Sequence, residues 1–346
     1  MIDVGLIGFG LAGRAFHAQV IRAVPGLRLA AILQRSGNEA AEKYPDVRVV
    51  RSVEELLGIR EIRLVVIATP NDTHAPLARA CLEAGRDVVV DKPFATTLAE
   101  AEELVALAQK LGRLITVYQN RRYDGDFQAI RKIVAEGTLG TIVRFETNYD
   151  RYRPQLKVGA WRERVVPGAG ILFDLAPHLI DHALVLFGLP EAVTADVRVE
   201  RAGALVDDAF DIMLHYPAGM RAVLRSTMLA AAQRPRFVLQ GTRGAFFKQT
   251  FDPTEINLRN GVVAESGPWG AEPEEDWGVL TTVESGVEVR RSVASVACDY
   301  RDYYANVRDA MLGEAELAVT PKDALNLMRV LEMAKESSAK RCTIPW

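Results

Sequence analysis

The first third of the chain alternates short apolar runs with segments in which apolar positions recur at helical spacing. The apolar runs are rich in Val, Ile and Leu, and they predict buried strands at residues 4–7, 27–33, 47–50, 64–68, 87–90 and 114–117. The segments between them predict helices at residues 12–23, 38–43, 53–57, 74–84 and 98–111. Strands that are apolar throughout and alternate with helices are typical of an α/β fold with a doubly wound parallel sheet, covered on both faces.

The strand pattern changes after about residue 122. Longer strands, several of which alternate apolar and polar positions, are predicted at residues 142–149, 193–200, 209–216, 221–228 and 236–240. The Tyr-Pro-Ala-Gly sequence at 216–219 predicts a turn that joins two of them in an antiparallel hairpin. The Gly, Pro and acidic residues of 252–288 indicate surface loops with short strands, and helices are predicted at 299–312 and 321–338. We therefore expect two domains, residues 1–121 and residues 122–346.

Length and composition exclude several classes of protein. The 346 residues are 49% hydrophobic and 25% charged, and the formal charge of −3 predicts no general attraction to nucleic acid or to membranes. Cys81, Cys298 and Cys342 show no CxxC spacing, so no disulfide framework or cysteine zinc site is expected. No apolar run approaches the roughly 20 residues of a membrane span, and residues 1–10 do not resemble a signal peptide. The expected compartment is the reducing cytoplasm.

A glycine-rich motif follows the first predicted strand and opens the first predicted helix. It reads Gly8-Phe9-Gly10-Leu11-Ala12-Gly13. In a dinucleotide-binding turn the first glycine permits the tight turn, the second lets a pyrophosphate approach the backbone, and the third allows close packing of helix and sheet. The helix N-terminus adds N–H groups and a positive dipole end for the phosphates. The alternative is a glycine-rich turn that binds nothing, but the context of strand and helix favours a dinucleotide site.

The second predicted strand ends at Leu33 and is followed by Gln34, Arg35 and Ser36. An enzyme that uses NAD usually has Asp or Glu here to bind the ribose hydroxyls, whereas this chain has no carboxylate before Glu39. Arg35 can pair with a 2′-phosphate, and Ser36 can donate to the same group. The sequence therefore favours NADP over NAD, with a merely solvated Arg35 as the alternative.

Polar residues also follow the fourth and fifth predicted strands, at the sheet edge where open α/β sheets bind their ligands. These segments read Thr69-Pro70-Asn71-Asp72-Thr73-His74 and Asp91-Lys92-Pro93. The residues of the first two motifs that we assign to the cofactor are Gly8, Phe9, Gly10, Leu11, Ala12, Gln34, Arg35 and Ser36. The further residues that we assign to it are Thr69, Pro70, Asn71, His74, Asp91, Lys92 and Asn120. For each polar residue taken alone, solubility of the turn is the alternative explanation.

The motifs at residues 8–13, 69–74 and 91–93 together resemble those of the Gfo/Idh/MocA family of nicotinamide-dependent sugar and polyol oxidoreductases. The family usually has Glu-Lys-Pro where this chain has Asp91-Lys92-Pro93, a change of one methylene that keeps the charge. A second family signature, a glycine-rich turn followed by Asp-x-x-x-His, resembles residues 168–178 with Asp174 and His178. Residues 120–123 and 150–154 look most like those of bacterial NADP-dependent scyllo-inositol 2-dehydrogenases.

The resemblance spans nearly the whole chain and implies a Rossmann domain followed by an α+β domain built on an open, mostly antiparallel sheet. In the family this sheet commonly mediates contacts within homodimers or homotetramers. The resemblance also implies that Lys92 lies beside the nicotinamide and the substrate oxygen, and that no metal takes part in the reaction.

Three residues can support hydride transfer from an alcohol carbon. Lys92 can stabilise the developing alkoxide, and His178 is the best proton acceptor because imidazole titrates near neutral pH. Asp174 and Asp181 share one helix face with His178, and Asp174 can orient His178 or the substrate, or assist Lys92 and His178. Pro177 is compatible with a helix that begins near Asp174. No third ligand follows at recognisable spacing, so a metal site is not expected.

Arg and Tyr residues are interleaved over residues 121–161, between the two catalytic motifs. They could line a substrate pocket, form solvated surface or hold a phosphate. Taken together they favour a small polyhydroxylated substrate. The candidates for contacting it are Arg122, Tyr123, Tyr149, Arg151, Arg153 and Trp161.

We therefore expect an NADP-dependent oxidoreductase that transfers a hydride between nicotinamide and a secondary alcohol or ketone of a cyclitol or sugar similar to scyllo-inositol. One alternative is an enzyme that acts on another sugar, an anhydro-sugar or a dihydrodiol. The other is a non-catalytic NAD(P)-binding sensor or co-repressor, which the presence of Lys92 and His178 disfavours.

Overall fold

The computed structural model describes residues 1–157, 159–262, 270–296 and 299–346, so Cys298 lies outside the described residues. These residues divide into two compact units. The first consists of Met1–Tyr123, the described part of Thr254–Trp269, and Asp299–Leu325. The second consists of Asp124–Pro253, the described part of Gly270–Cys298, and Asn326–Trp346.

The first unit is built on a six-stranded sheet in the order β3-β2-β1-β4-β5-β6. Its strands are β1 (Ile2–Ile7), β2 (Leu27–Leu33), β3 (Arg48–Val50), β4 (Ile62–Ile67), β5 (Asp87–Val90) and β6 (Ile115–Val117). Every neighbouring pair is parallel, and this order is that of a Rossmann fold. The predicted doubly wound sheet is confirmed, because strands buried on both faces carry an unmistakable apolar signal.

The second unit is built on a nine-stranded sheet in the order β14-β13-β12-β11-β7-β10-β9-β8-β15. Its strands are β7 (Ile142–Asn148), β8 (Ala192–Arg198), β9 (Ala209–His215), β10 (Arg221–Thr227), β11 (Phe237–Gly241), β12 (Gly244–Lys248), β13 (Gly278–Glu284), β14 (Val287–Val293) and β15 (Ile344–Pro345). Strands β7 and β10 are parallel and the other neighbouring pairs are antiparallel, which confirms the mostly antiparallel sheet. The predicted hairpin joins β9 to β10.

The helices cover these sheets. They are α1 (Gln19–Arg22), α2 (Glu39–Lys43), α3 (Val53–Leu57), α4 (His74–Glu83), α5 (Leu98–Leu111), α6 (Gly125–Ala135), α7 (Gly170–Phe187), α8 (Thr254–Arg259), α9 (Arg301–Leu312) and α10 (Pro321–Lys340). The helix predicted at 12–23 differs in its winding, since Gly13–Ala18 is a π-helix that leads directly into α1. Helix α5 begins with a complete capping box between Thr97 and Glu100.

The chain returns to the first unit after residue 253, so residues 122–346 do not form one continuous domain as expected. Aromatic side chains of α9 pack in the first unit and hold the returning segment of the chain there. Tyr303 and Tyr304 are buried, and their ring centres lie 4.8 and 5.5 Å from that of Tyr118. These aromatic residues are far apart along the chain. Their contacts therefore cannot be inferred from the local strand pattern, which was the basis of the expected boundary.

Helix α7 packs on β7, β9 and β10 and forms the centre of the second unit. It has the length and apolar composition of a membrane span, but most of it is buried, as in the core helix of a globular unit. The opposite face of the same sheet carries exposed apolar residues. Val238 pairs with Phe247, which pairs with Val279, and the exposed fractions of Phe247 and Val279 are 42% and 36%.

Candidate active site

The glycine motif at the end of β1 has the shape that a pyrophosphate requires. Gly8 has a φ of +101°, and a Cβ atom there would lie 2.4 Å from the carbonyl oxygen of Ala68. A Cβ at Gly13 would lie 2.1 Å from the carbonyl oxygen of Gly8. At Gly10, by contrast, a Cβ would meet none of the described atoms within 4 Å. Packing therefore demands the first and third glycines, whereas the second leaves open space beside the backbone for a ligand.

The loop after β2 presents the two residues predicted to select the cofactor. Arg35 and Ser36 are both exposed. The half-buried side chain of Gln34 is held against α2, since its oxygen accepts a hydrogen bond of 2.9 Å from the N–H of Ala40 and its amide donates to Glu39. The nearby carboxylate is thus engaged within its own loop, and Arg35 remains available to an anion at this strand end.

Sequence reasoning missed Arg51, which follows β3 and shapes this loop. Its guanidinium donates to the carbonyl oxygens of Gln34 and Gly37, both at 2.8 Å, and to Oδ1 of Asn38 at 3.0 Å. The pKa of Glu39 is lowered by a hydrogen bond from the backbone of Glu39 itself and by one from the amide of Gln34. The charge of Arg51 lowers this pKa further. Arg51 occupies a strand end, so the rule that identified Arg35 would also have found it.

His74 joins the loops after β4 and β5. Its Nδ1 lies 2.8 Å from the carbonyl oxygen of Pro93 and its Nε2 lies 2.9 Å from that of Thr69. The side chain is fully buried, and burial lowers its pKa despite the opposing effects of Asp91 and both carbonyl groups. We had assigned His74 to the cofactor, but both ring nitrogens face the backbone, so its role is to position two loops.

Around Thr69 the turn is closed by hydroxyl groups. Thr69 Oγ1 lies 2.6 Å from Thr73 Oγ1, which also donates to the carbonyl oxygen of Pro70 at 2.7 Å. Asn71 is buried beneath this turn. The predicted segment after β4 is therefore a turn stabilised by hydrogen bonds of its own hydroxyl groups.

Asp91 and Lys92 follow β5, and both are partly buried. The N–H of Lys92 donates to Asp91 Oδ1 at 2.8 Å. Burial alone would raise the pKa of Asp91, but His17, Lys92 and His74 outweigh it and the pKa is lowered. The lysine motif therefore holds an ionised carboxylate against the backbone of Lys92, and the charge of Lys92 helps to lower the pKa of that carboxylate.

The residues after β6 are less available than expected. Asn120 is buried, and the guanidinium of Arg122 donates to the carbonyl oxygen of Ala318 at 2.7 Å. The ring of Tyr123 packs edge-on against Tyr303. Arg122 and Tyr123, which we had assigned to the substrate, thus contribute to the packing of the first unit, where the returning chain supplies their partners.

In the second unit, the start of α7 depends on a residue that the sequence did not single out. Asp207 accepts a hydrogen bond of 2.6 Å from the N–H of Leu172, and its carbonyl oxygen accepts one of 2.9 Å from Ile171. A Cβ at Gly170 would lie 2.3 Å from Asp207 Oδ1, which explains the glycine-rich turn. Burial raises the pKa of Asp207 to about 6, against the opposing effect of these N–H groups.

This cap corrects the expected start of the helix. Because Asp207 satisfies N–H groups of the first turn, α7 begins at Gly170 rather than near Asp174. Pro177 consequently lies inside the helix and not in its first turn. Asp174 and His178 keep the expected spacing of one turn along α7, with His178 largely buried.

Asp174 is bracketed by two arginines. Arg151 donates to its Oδ2 at 3.0 Å, and Arg162, which the sequence analysis did not select, donates to its Oδ1 at 3.2 Å. Both carboxylate oxygens are thus committed to permanent cations. This geometry fits Asp174 as a group that orients its neighbours, which is one of the roles expected for it.

The remaining candidates for contacting the substrate lie in different surroundings. The guanidinium carbon of Arg151 lies 5.1 Å from the ring centre of Tyr149, and that of Arg162 lies 4.6 Å from Trp161. These four residues therefore gather around Asp174. Arg153 is exposed, and its backbone N–H donates to the carbonyl oxygen of Met228.

A small open depression of about 30 Å³ lies against the start of α7. Its walls include Asp174, Asp207, Arg162 and Gly170, and neither Lys92 nor His178 is among its lining residues. It has room for a molecule of about the size of water.

The parallel sheet, the open cradle at Gly10 and the lysine motif define the class of protein, an oxidoreductase that binds a nicotinamide dinucleotide. Residues 2–119 match the family described as oxidoreductase family, NAD-binding Rossmann fold. Residues 127–247 match the Gfo/Idh/MocA C-terminal domain. The chain belongs to the Gfo/Idh/MocA family of oxidoreductases, which confirms the resemblance seen in its motifs.

Similar proteins cover nearly the whole chain. The uncharacterized oxidoreductase YdgJ of Escherichia coli is 45% identical over 99% of this chain and 98% of its own. The scyllo-inositol 2-dehydrogenase (NADP(+)) IolW of Bacillus subtilis is 36% identical over 99% of this chain and 95% of its own. The solved structure of yvaA from Bacillus subtilis superposes with a TM-score of 0.96 at 36% identity, covering 100% of this chain and 98% of that one.

The glycine cradle can be tested with a matched pair of substitutions. Gly10→Ala adds a methyl group where the chain has room, so its melting temperature should stay within about 2 °C of wild type. NADPH affinity should fall at least about tenfold, because the methyl group occupies the space for the pyrophosphate. Fluorescence titration with NADPH and thermal unfolding without cofactor measure the two effects.

Gly13→Ala is the control, because its methyl group would meet the backbone at Gly8. We expect this variant to lose about 1–3 kcal/mol of unfolding free energy, as in other overpacked cores. Wild-type NADPH affinity in a stable Gly10→Ala protein would contradict the assignment of the cradle.

Proposed function

We propose that this oxidoreductase transfers a hydride between NADP and a secondary alcohol or ketone of a cyclitol or sugar similar to scyllo-inositol. The observation that carries the proposal is the lysine motif after β5, where Asp91 accepts the N–H of Lys92 at the edge of the parallel sheet that binds ligands in this fold. The 36% identity to IolW over nearly both whole chains supports a cyclitol as the substrate class. Another sugar, an anhydro-sugar or a dihydrodiol would use the same chemistry.

Lys92, His178 and Asp174 have different roles in the proposed reaction. When bound, the nicotinamide dinucleotide accepts or supplies the hydride. The ammonium of Lys92 stabilises negative charge on the substrate oxygen, and His178 takes up the hydroxyl proton during oxidation. Asp174, fixed by Arg151 and Arg162, orients the polar groups around it.

The loop after β2 supports the proposed preference for NADP. A 2′-phosphate carries negative charge, and the exposed Arg35 supplies a bidentate donor for it. Ser36 adds a hydroxyl donor beside it. Glu39, the first carboxylate after β2, lies at the start of α2 and accepts a hydrogen bond from Gln34.

We further propose that the exposed face of the nine-stranded sheet is covered by a second copy of the chain, in a homodimer or homotetramer. Phe247, Val279 and Val283 are all at least one-third exposed on adjacent strands. Apolar side chains in register across a sheet form the kind of surface that a symmetric partner buries.

The thiols suit a reducing compartment. Cys81 is buried and Cys342 is exposed, and both are free. We propose the cytoplasm as the location of the protein, since an exposed thiol persists where disulfides are reduced.

The central test is an activity screen with NADP(H) against myo-inositol, scyllo-inositol, their ketones and common aldoses. Lys92→Met should lower kcat by about 10²–10⁴-fold, the usual range for loss of an acid–base group, while the Kd of NADPH changes by less than about threefold. Lys110→Met, at an exposed position on α5, is the control and should match wild type. NADPH binding without turnover of any compound in the panel would favour the sensor instead.

Arg35→Asp tests the cofactor preference. Loss of the phosphate partner and added repulsion should shift the ratio of kcat/KM for NADP over NAD by about 10²-fold toward NAD. Arg48→Asp makes the same charge change at the other end of the sheet, at the start of β3, and should leave the ratio unchanged. An unchanged ratio in Arg35→Asp would contradict the role of Arg35.

Phe247→Asp tests the assembly. A charge on the buried side of an interface costs several kcal/mol, so the molar mass from light scattering should fall toward that of one chain, 38.1 kDa. Leu205→Asp changes an exposed apolar residue away from this face and should keep the assembly. A wild-type chain that is monomeric at micromolar concentration would refute the proposal.

A further inference from the structure

A buried arginine of the second unit connects two loops beside the start of α7. Arg201 follows β8, and its side chain is only 3% exposed. Its Nε donates to Oδ2 of Asp208 at 2.9 Å, and its two terminal nitrogens donate to the carboxylate oxygens of Glu163 at 3.2 and 2.9 Å. One guanidinium therefore holds the connection between β8 and β9 to a turn that lies 38 residues earlier in the chain.

Asp208 fixes the backbone from which Arg201 reaches out. Its carboxylate is 1% exposed, and it accepts the N–H groups of Glu200 at 2.6 Å and of Arg201 at 3.1 Å. Because a buried guanidinium requires one counter-charge, Asp208 is sufficient to balance Arg201. The second carboxylate, that of Glu163, is not needed for charge balance. Its paired hydrogen bonds instead give the geometric definition that an arginine fork provides.

The turn that carries Glu163 has few contacts of its own to define its conformation. It is the 3₁₀ segment Trp161–Glu163, and its N-cap residue is Ala160, whose side chain cannot accept a hydrogen bond. Such short segments have poor internal hydrogen-bond geometry and depend on the contacts around them. The residue next to Glu163 is Arg162, which donates to Oδ1 of Asp174 at 3.2 Å. Arg201 thus holds the backbone from which Arg162 reaches Asp174.

The connection between β8 and β9 also holds the helix that carries Asp174. Asp207, directly before Asp208, accepts the N–H of Leu172 in the first turn of α7 at 2.6 Å. Two consecutive carboxylates therefore fix two neighbouring pieces of the site, the helix through Asp207 and the turn through Asp208 and Arg201. The residues that line the small depression at the start of α7 include both carboxylates and Arg201.

We propose that Arg201 is a positioning residue for the substrate end of the candidate active site, which holds the Trp161–Glu163 turn so that Arg162 meets Asp174. This inference rests on the proposed function, because it takes the surroundings of Asp174 as the place where the polyhydroxylated substrate binds. When the link to Glu163 is lost, the turn samples other conformations, and substrate binding has to order it again. The cost therefore falls on substrate affinity and not on hydride transfer.

Glu163→Leu is the first test, because Arg201 then keeps Asp208 as its counter-charge. In NADPH-dependent reduction of a ketone found in the activity screen, the KM of the ketone should rise about tenfold. The kcat and the KM of NADPH should change by less than about threefold. Arg201→Met should give the same result. Arg86→Met is the matched control, since the Arg86 guanidinium donates to backbone carbonyl groups directly before β5, and it should keep the wild-type KM.

The double variant shows whether Arg201 acts through Glu163. If it does, Glu163→Leu combined with Arg201→Met should raise the KM of the ketone about as much as either substitution alone. Effects that multiply to about 100-fold would overturn the proposal, because Arg201 would then act by another route. Thermal unfolding identifies a damaged protein. If Arg201→Met does not fold, Arg201→Lys replaces it, since lysine can still pair with Asp208 but cannot form the fork to Glu163.

Hydrogen exchange separates failure of this inference from failure of the proposed function, since it needs no substrate. The N–H groups of Glu163 and Arg164 each donate within the turn at 3.1 Å, and in Glu163→Leu they should exchange about tenfold faster. The N–H of Leu172, held by Asp207, should keep its wild-type rate. Mass spectrometry of short peptides measures both regions.

Wild-type exchange in the turn of Glu163→Leu would overturn the inference even if the enzyme reduces a cyclitol ketone. Faster exchange with an unchanged KM of the ketone would overturn it as well, because the turn would then move without effect on the substrate. Absence of turnover by the wild-type enzyme contradicts the proposed function instead.

Discussion

The six strands of the first sheet all run in one direction, and the chemistry of the first unit depends on this constraint. In such a sheet every strand delivers the residues that follow it to the same edge. The glycine motif, the Arg35 loop and the lysine motif are thereby brought to one edge of the sheet. His74 then connects the loops after β4 and β5 through two backbone carbonyl groups. The parallel sheet determines where the loops lie, and the buried imidazole of His74 holds two of them together.

Much of this sheet could be predicted because its information is local. Strands buried on both faces are apolar along their whole length, and each strand from β1 to β6 was located to within two residues at either end. The capping box of α5 is likewise contained in four residues. The π-helical winding after Gly13 was not predicted, since π- and α-helices share nearly the same apolar spacing over so short a segment.

Elements that depend on distant partners escaped prediction. Strand β12 is a short strand paired between β11 and β13, and α9 belongs to the first unit because of tyrosines that pack on Tyr118. The residues of the candidate site also divide into those found from local sequence and those that depend on distant contacts. Its motifs are continuous in sequence and were found, whereas Asp207 reaches Leu172 from 35 residues away. That contact moves the start of α7 by one turn, which is why Pro177 lies inside the helix.

Arg51 has a consequence for how a cofactor preference changes during evolution. The loop that carries Arg35 is held from a different strand, through backbone carbonyl groups that any sequence in the loop would present. Its shape is therefore inherited separately from the residue that meets the ribose. Substitutions at Arg35 and Ser36 can therefore change the groups that this loop presents while its backbone keeps the same support from Arg51.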